Sequence, residues 1–306
     1  MDRPDMKGLI AAIVTPMRED FSVDETSLRR YVRWLTDQAV TGLAVNVDTG
    51  EGPHLSAEER IGVLEVVAEE VGDRTLIVAG LAASFTEQAR SLAADAARAG
   101  AGALLVFPIP VYQGEPLDPE IPVRYHRAVH DASGLPLIAF QLQPALGGVN
   151  FSVEVIERLM TEGGVVALKE ASFDAKRFVE TVRLVRSVAP GATVLNGNDN
   201  FLLEAYLLGA EGALLGFGTL AAREQVEMLD HVRARDLERA TARGDVLQPL
   251  CDAIFAPPVR DYRARLKHAL ATLGVIDEAH VRPPLLPLSP DERAGVERAL
   301  REAALL

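Results

Sequence analysis

The chain has 306 residues, 48% of them hydrophobic and 25% charged, with a formal net charge of −13. This composition fits a globular chain with a sizeable core, and the acidic balance argues against nucleic acid or anionic membrane as partners, since both need a basic footprint. A single cysteine, Cys251, leaves no internal disulfide and no multi-cysteine metal site, and neither metal nor cofactor is expected. The N-terminal stretch has no apolar signal core and no run of about 18 apolar residues follows, which reads as a soluble cytoplasmic protein.

Short apolar runs then alternate with longer amphipathic stretches. Strands are predicted at 9–14, 43–46, 75–79, 103–107, 137–141, 165–169, 193–196 and 213–216. Helices are predicted at about 25–39, 56–70, 85–99, 119–131, 152–160, 174–188, 200–208 and 222–234. Eight strands, each followed by a helix, are the count of a closed (β/α)8 TIM barrel of the α/β class. The strands are continuous apolar runs, as expected of a parallel sheet covered by helices. Glycine-containing turns at 41–42, 100–102, 163–164 and 209–212 supply left-handed helix ends and tight entries into the next strand. Ser56 with Glu59, and Ser84 with Glu87, have the spacing of capping boxes. An open doubly wound sheet shares the alternation, but no Gly-x-Gly-x-x-Gly turn follows the first strand.

Beyond about residue 235 the pattern changes to helices near 236–255, 259–273 and 290–303, interrupted by Pro257-Pro258 and Pro283-Pro284. The predicted division is a barrel over 1–235 and a C-terminal helical extension over 236–306, too short and interrupted to fold alone.

Catalytic groups of such a barrel come from the carboxyl ends of its strands. Lys169 closes the apolar run of the sixth strand, and it is one of only four lysines among 31 basic residues. Partial desolvation there favours the neutral amine, which can attack a carbonyl and form an imine. Read alone, the position equally fits a lysine that ends a strand and runs its stem to solvent. The other strand ends carry Val14-Thr15-Pro16, Asp48-Thr49-Gly50-Glu51, Tyr112 in the loop after the fourth strand, Phe140-Gln141, Gly197-Asn198-Asp199 and Gly216-Phe217-Gly218. The six histidines show no metal-ligand spacing. Glu170 alternates to the strand face opposite Lys169, where a structural ion pair is expected.

Taken in order, Val-Thr-Pro at 14–16, Thr-Gly-Glu at 49–51, Leu-Lys-Glu-Ala-Ser at 168–172, Gly-Asn-Asp at 197–199 and Leu-Gly-Ala-Glu-Gly at 208–212 resemble the class I pyruvate-dependent aldolases and hydro-lyases. This is the family of dihydrodipicolinate synthase and N-acetylneuraminate lyase, and the resemblance covers nearly the whole chain. It implies Lys169 as the Schiff-base lysine, with Thr49 and the backbone around Gly50 binding the carboxylate of a pyruvate-like 2-oxo acid. Small residues there expose N–H donors to an anion, and a held carboxylate fixes the keto carbon against the amine. The resemblance also implies dimers paired into a tetramer, and it leaves Tyr112 to reach either this site or a neighbouring subunit's.

Two departures stand out. The family usually has a tyrosine at the end of the fifth strand that moves protons; here the position is Phe140, followed by Gln141. The family's usual Gly-Thr-Thr-Gly-Glu here reads Val47-Asp48-Thr49-Gly50-Glu51, so an aspartate replaces the threonine that links to that tyrosine. Asp48 is therefore the candidate acid/base group, alone or with Tyr112, or else it only caps its loop. Dihydrodipicolinate synthases also carry an arginine where this chain has Ala145-Leu146-Gly147-Gly148, which disfavours that reaction. Gln141 and Gln143 instead offer neutral amides to a polar, hydroxylated aldehyde or keto acid, and Phe140, Gly197 and Asn198 are expected to line the same substrate site. The expected activity is a Schiff-base lyase making or breaking a carbon–carbon bond. The alternatives are a hydro-lyase or deaminating hydrolase on a keto-deoxy sugar acid, or a barrel that only binds the oxo acid.

Overall fold

The computed structural model describes residues 4–306. Eight parallel strands close a barrel in sequential order, β1 Leu9–Ala12, β2 Gly42–Val45, β3 Leu76–Leu81, β4 Ala103–Val106, β5 Leu137–Leu142, β6 Val165–Ala171, β7 Thr193–Asn196 and β8 Gly212–Leu215. The helices between them are α1 Glu25–Thr36, α2 Ala57–Val71, α3 Thr86–Arg98, α4 Glu120–Ser133, α5 Val153–Glu162, α6 Ala175–Val188 and α7 Leu202–Leu207, with α8 Ala222–Arg233 following β8. Three more helices complete the chain, α9 Leu237–Ile254, α10 Tyr262–Thr272 and α11 Pro290–Glu302. Among the described residues no helix is long and apolar enough to cross a membrane.

Strand alternation divides the core into two compartments. Ile10, Ala44, Val78, Leu105, Ile138 and Leu214 point into the lumen and pack there. Their strand neighbours, such as Leu9, Leu43, Ala79, Leu104, Ala139 and Leu215, belong to the layer between strands and helices. The lumen set is mostly aliphatic and small, so the barrel interior is filled rather than open, and a ligand is placed at the strands' carboxyl end.

Of the two predicted capping boxes, one forms. Ser56 and Glu59 form the expected capping box at α2. At α3 the Ser84–Glu87 box does not form: Phe85 occupies the cap without a side-chain bond, and the Ser84 N–H donates to Gln88 Oε1 at 2.8 Å. Gln88 reaches back to the same N–H that Glu87 was expected to take. The turn at 41–42 also differs, because the left-handed residue there is Ala39 (φ 59°) rather than Gly42. Gly42 instead permits close packing of β3, since a Cβ would lie 2.9 Å from the Leu76 carbonyl oxygen.

The C-terminal helices do more than cover the outside. Gln248 Nε2 and Cys251 Sγ of α9 donate to the Asp199 carbonyl, and Arg263 Nε of α10 donates to that of Asp48. Residues 237–272 therefore hold two of the loops that form the barrel mouth.

Candidate active site

A cavity of about 360 Å³ opens at the carboxyl end of the strands, with Lys169 projecting into it. Lys169 shares the inward face of β6 with Ala167 and Ala171, and strand register sets it between Phe140 of β5 and Leu195 of β7. Its ammonium lies 4.2 Å from the centre of the Phe140 ring. What solvent Lys169 meets, it meets within this cavity. Burial lowers its pKa from 10.5 to about 8, opposed by the charges of Asp199 and Asp48. The ring face attracts an ammonium, but desolvation dominates and the amine is brought close to a nucleophilic, neutral state at physiological pH.

Asp199 lines the cavity from the loop after β7 and is 9% exposed. Burial raises its pKa from 3.8 to about 7, with the Lys169 charge and the Phe217 N–H pulling the other way. A buried amine and a buried carboxyl whose pKa values approach each other form an acid–base pair suited to proton transfer near neutrality. Alternation continued past β7 accounts for Asp199: Leu195, Gly197 and Asp199 take the inward places.

The loop after β2 brings Asp48 and Thr49 to the same cavity. Thr15 Oγ1 donates to the Gly50 carbonyl at 2.8 Å and fixes this loop to the end of β1. Gly50 itself does not line the cavity, and its N–H is consumed by the Val47 carbonyl at 3.1 Å. The N–H groups of Asp48 and Thr49 have no acceptor among the described residues. The unpaired N–H groups of this loop are thus those of Asp48 and Thr49, one and two residues before Gly50.

Three other expected residues lie elsewhere. Gln141 is fully buried on the outward face of β5, where its Nε2 donates to Glu170 Oε1 (3.1 Å) and Thr181 Oγ1 (3.2 Å) and its Oε1 accepts from the Phe151 N–H. Strand alternation directs Phe140 inward and Gln141 outward. Asn198 is likewise turned out, with Nδ2 donating to Glu170 Oε2 at 2.9 Å and Oδ1 accepting from the Phe173 N–H at 2.6 Å. Glu170, expected in an ion pair, is instead held by these amides and the Ser172 N–H, and burial raises its pKa. Tyr112 packs edge-on against Tyr125 and Phe151 (ring centres 6.0 and 6.2 Å), does not line the cavity, and leaves its hydroxyl without a partner. The short turn at 110–112 rotates it into the layer under the helices.

Phe140 and Gly197 do line the cavity. A Cβ on Gly197 would lie 2.8 Å from Lys169 Cε, so glycine there is what lets the lysine stem pass. Phe107, edge-on to Phe140 at 5.1 Å, and Leu142 and Leu146 make the wall near β5 apolar. Phe255, Tyr262 and Arg263 close the opposite side from the C-terminal extension. Among the described residues no group of three or more His, Cys, Asp or Glu side chains is placed to hold a metal ion.

Fold and site together define a (β/α)8-barrel lyase of the class I, Schiff-base type. The chain belongs to the dihydrodipicolinate synthetase family, whose model matches residues 5–303. Over 307 residues it is 31% identical to the 4-hydroxy-tetrahydrodipicolinate synthase of Chlorobium phaeobacteroides (strain BS1), covering 100% of both chains. Among solved structures it is similar to the chloride-inhibited dihydrodipicolinate synthase of Acinetobacter baumannii complexed with pyruvate, with a TM-score of 0.86, 29% identity and coverage of 99% of this chain and 100% of that one. It is also similar to a dihydrodipicolinate synthase variant described as monomeric, with a TM-score of 0.89, 27% identity and coverage of 98% and 97%.

Proposed function

We propose that Lys169 forms an imine with the keto carbon of pyruvate or a related 2-oxo acid, and that the resulting enamine makes or breaks a carbon–carbon bond. The observation that carries this reading is the lowered pKa of a lysine that projects into a cavity also lined by Thr49. Thr49, with the free N–H groups of Asp48 and Thr49, takes the carboxylate, and Lys169 meets the carbon next to it. Asp199 supplies or removes the proton that the bond change requires.

The dihydrodipicolinate synthase reaction itself is not the reading favoured here, despite the names of the relatives. The end of β5 gives the cavity Leu142, Leu146 and Gly147 rather than a cation for a second carboxylate, and the arginines that line it, Arg260 and Arg263, come from the C-terminal extension instead. Asp199 favours loss of water as a second reading, because a carboxyl kept protonated near neutral pH can protonate a departing hydroxyl. Release of pyruvate from a keto-deoxy sugar acid would identify the first reaction, and loss of water without chain cleavage the second. A cytoplasmic location and assembly as dimers paired into a tetramer belong to the same proposal. Val111, 58% exposed beside the buried Tyr112, offers apolar surface for a subunit contact, which sedimentation at working concentration tests.

Borohydride reduction in the presence of pyruvate tests the central step. A mass increase on the peptide containing Lys169, absent in Lys169→Met, is the expected result. A panel of 2-oxo acids that yields no adduct would refute the reading.

A further inference from the structure

Imine formation needs groups that carry protons to and from the reacting atoms, and the wall nearest the amine, Phe140, has none. Of the five tyrosines, only Tyr262 lines the cavity. It comes from the first turn of α10, outside the barrel. Its hydroxyl donates to Asp48 Oδ2 at 2.8 Å and lies 3.5 Å from Thr49 Oγ1. The ring is held on both faces, stacked on Phe255 (centres 4.9 Å apart, planes 19° apart) and covered by the Arg263 guanidinium at 4.8 Å. Arg263 also pairs with the Asp48 carboxylate while its Nε donates to the Asp48 carbonyl. Gly216 at the end of β8 leaves room for the ring, since a Cβ there would lie 3.1 Å from Phe255 Cζ and 3.4 Å from Tyr262 Cε2. A phenol held on both ring faces and hydrogen-bonded to Asp48 at a cavity wall is more than packing requires.

We propose that Tyr262 is the catalytic acid–base hydroxyl of this site, delivered by the C-terminal extension, with Asp48 and Arg263 as its positioning residues. The proposal rests on imine formation at Lys169. In the step assigned to it, the neutral Lys169 amine adds to the keto carbon, and one proton passes from nitrogen to the former carbonyl oxygen through the phenol. The carbinolamine then expels that oxygen as water, with the proton supplied by Tyr262, leaving an iminium cation opposite a tyrosinate. The tyrosinate next removes a proton from the adjacent methyl or methylene carbon. Both charges vanish, the enamine forms and the phenol is restored, so the sum is amine plus oxo acid giving enamine plus water. Asp48 accepts the phenol's proton in a hydrogen bond when no substrate is present and so fixes where the oxygen waits.

The second substrate is unnecessary for the test. Pyruvate in heavy water exchanges its methyl protons for deuterons each time the enamine forms and is reprotonated, and proton NMR reads the rate. Tyr262→Phe keeps the stacked ring and removes only the oxygen. The expected result is an unchanged end point of borohydride trapping on Lys169, an unchanged melting temperature, and methyl exchange slowed about 100-fold or more. Asp48→Asn, which leaves the phenol in place and weakens its anchor, is expected to slow exchange less and likewise to spare the trapping end point. Exchange at the wild-type rate in Tyr262→Phe overturns the proposal. If Tyr262→Phe fails to fold, wild-type exchange in Asp48→Asn overturns it. Absence of a pyruvate adduct in the wild type overturns the imine reading, and this proposal with it, and so differs visibly from failure of the tyrosine alone.

Discussion

Lys267 Nζ donates to Glu51 Oε1 at 2.5 Å, and neither side chain is exposed at all. Glu51 belongs to the loop after β2 and Lys267 to α10, 216 positions later. The pair is well satisfied. Lys267 also donates to the His280 carbonyl at 2.7 Å, and Glu51 Oε2 accepts from the Arg282 N–H at 2.8 Å. Glu51 is held at φ 56°, a left-handed conformation that non-glycine residues adopt only when their surroundings impose it. This buried contact locks the loop carrying Asp48 and Thr49 to the helix carrying Tyr262 and Arg263. The two halves of the cavity wall are thereby one mechanical unit.

Removing one partner leaves a buried group without its counter-charge, which typically destabilises by about 3–5 kcal/mol. Glu51→Met is expected to unfold in urea with a loss of that order, and Lys267→Met with a similar one. The double variant Glu51→Met with Lys267→Met should recover much of it, because apolar replacement of both partners removes the desolvation term. Additive losses in this cycle would show that the contact is not the coupling element.

Lys169 titrates in a range where activity can report it. Its lowered pKa means that the neutral amine predominates above about pH 8. The initial rate of pyruvate adduct formation should therefore rise with pH through that region and level off above it. Asp199 raises the Lys169 pKa through its charge. Asp199→Asn removes that charge, so the rising limb is expected to move to lower pH. A limb that stays in place, or moves up, would remove Asp199 from the electrostatics of the amine.

Much of this was legible in the sequence. Barrel closure follows from eight apolar runs with helices between them, and Lys169 stands out because an apolar strand ends on a charge. Alternation also contained information that motif matching hides. Asn198 and Gln141 sit in or beside recognisable motifs yet point outward, while Asp199, in the same Gly-Asn-Asp run, points in. A period of two carried past the strand end separates them. Tyr262 and Arg263 carried no such signal. They lie on a helix outside the repeat, and their meeting with Asp48 depends on how α9 and α10 fold back over the mouth, which local patterning does not encode. The failed cap at Ser84 shows the same limit at short range, where Gln88 competes successfully with Glu87.

Gly197 is open to a direct steric test. An added methyl would lie 2.8 Å from Lys169 Cε, 2.9 Å from Ala171 Cβ and 3.0 Å from the Glu170 carbonyl oxygen. Two of these neighbours are fixed, so the lysine stem must give way. Gly197→Ala is expected to lose about 1–3 kcal/mol of stability from overpacking and to lower the yield of trapped adduct at least about tenfold, as misplacing a reacting group does. Full trapping by a folded Gly197→Ala protein would show that Lys169 tolerates a different path into the cavity.

Acid sensitivity should be traceable to His126 on α4. The ring is buried at 1% exposure, its Nδ1–H donates to the Pro122 carbonyl at 2.7 Å, and Nε2 has no partner. Burial lowers its pKa from 6.5 to about 4, opposed by the bond to Pro122. The folded state thus resists a proton that the unfolded chain accepts. Its contribution to stability is fully present above pH 6.5, declines as pH falls, and is lost below about 4, with a total on the order of 3 kcal/mol. Asp199 works in the opposite direction over part of this range, because its raised pKa makes the folded state the better proton acceptor. The difference between wild type and His126→Gln cancels that shared term. Between pH 6.5 and 4 the wild type is expected to lose unfolding free energy faster than His126→Gln, by up to about 3 kcal/mol across the window. The carboxylates of Glu70, Glu120 and Glu162, all lowered by arginine partners, lose their contributions only below the ordinary Glu value of 4.5, so they leave the upper part of the window to the histidine. Parallel pH profiles for the two proteins would show that His126 is protonated to the same extent folded and unfolded.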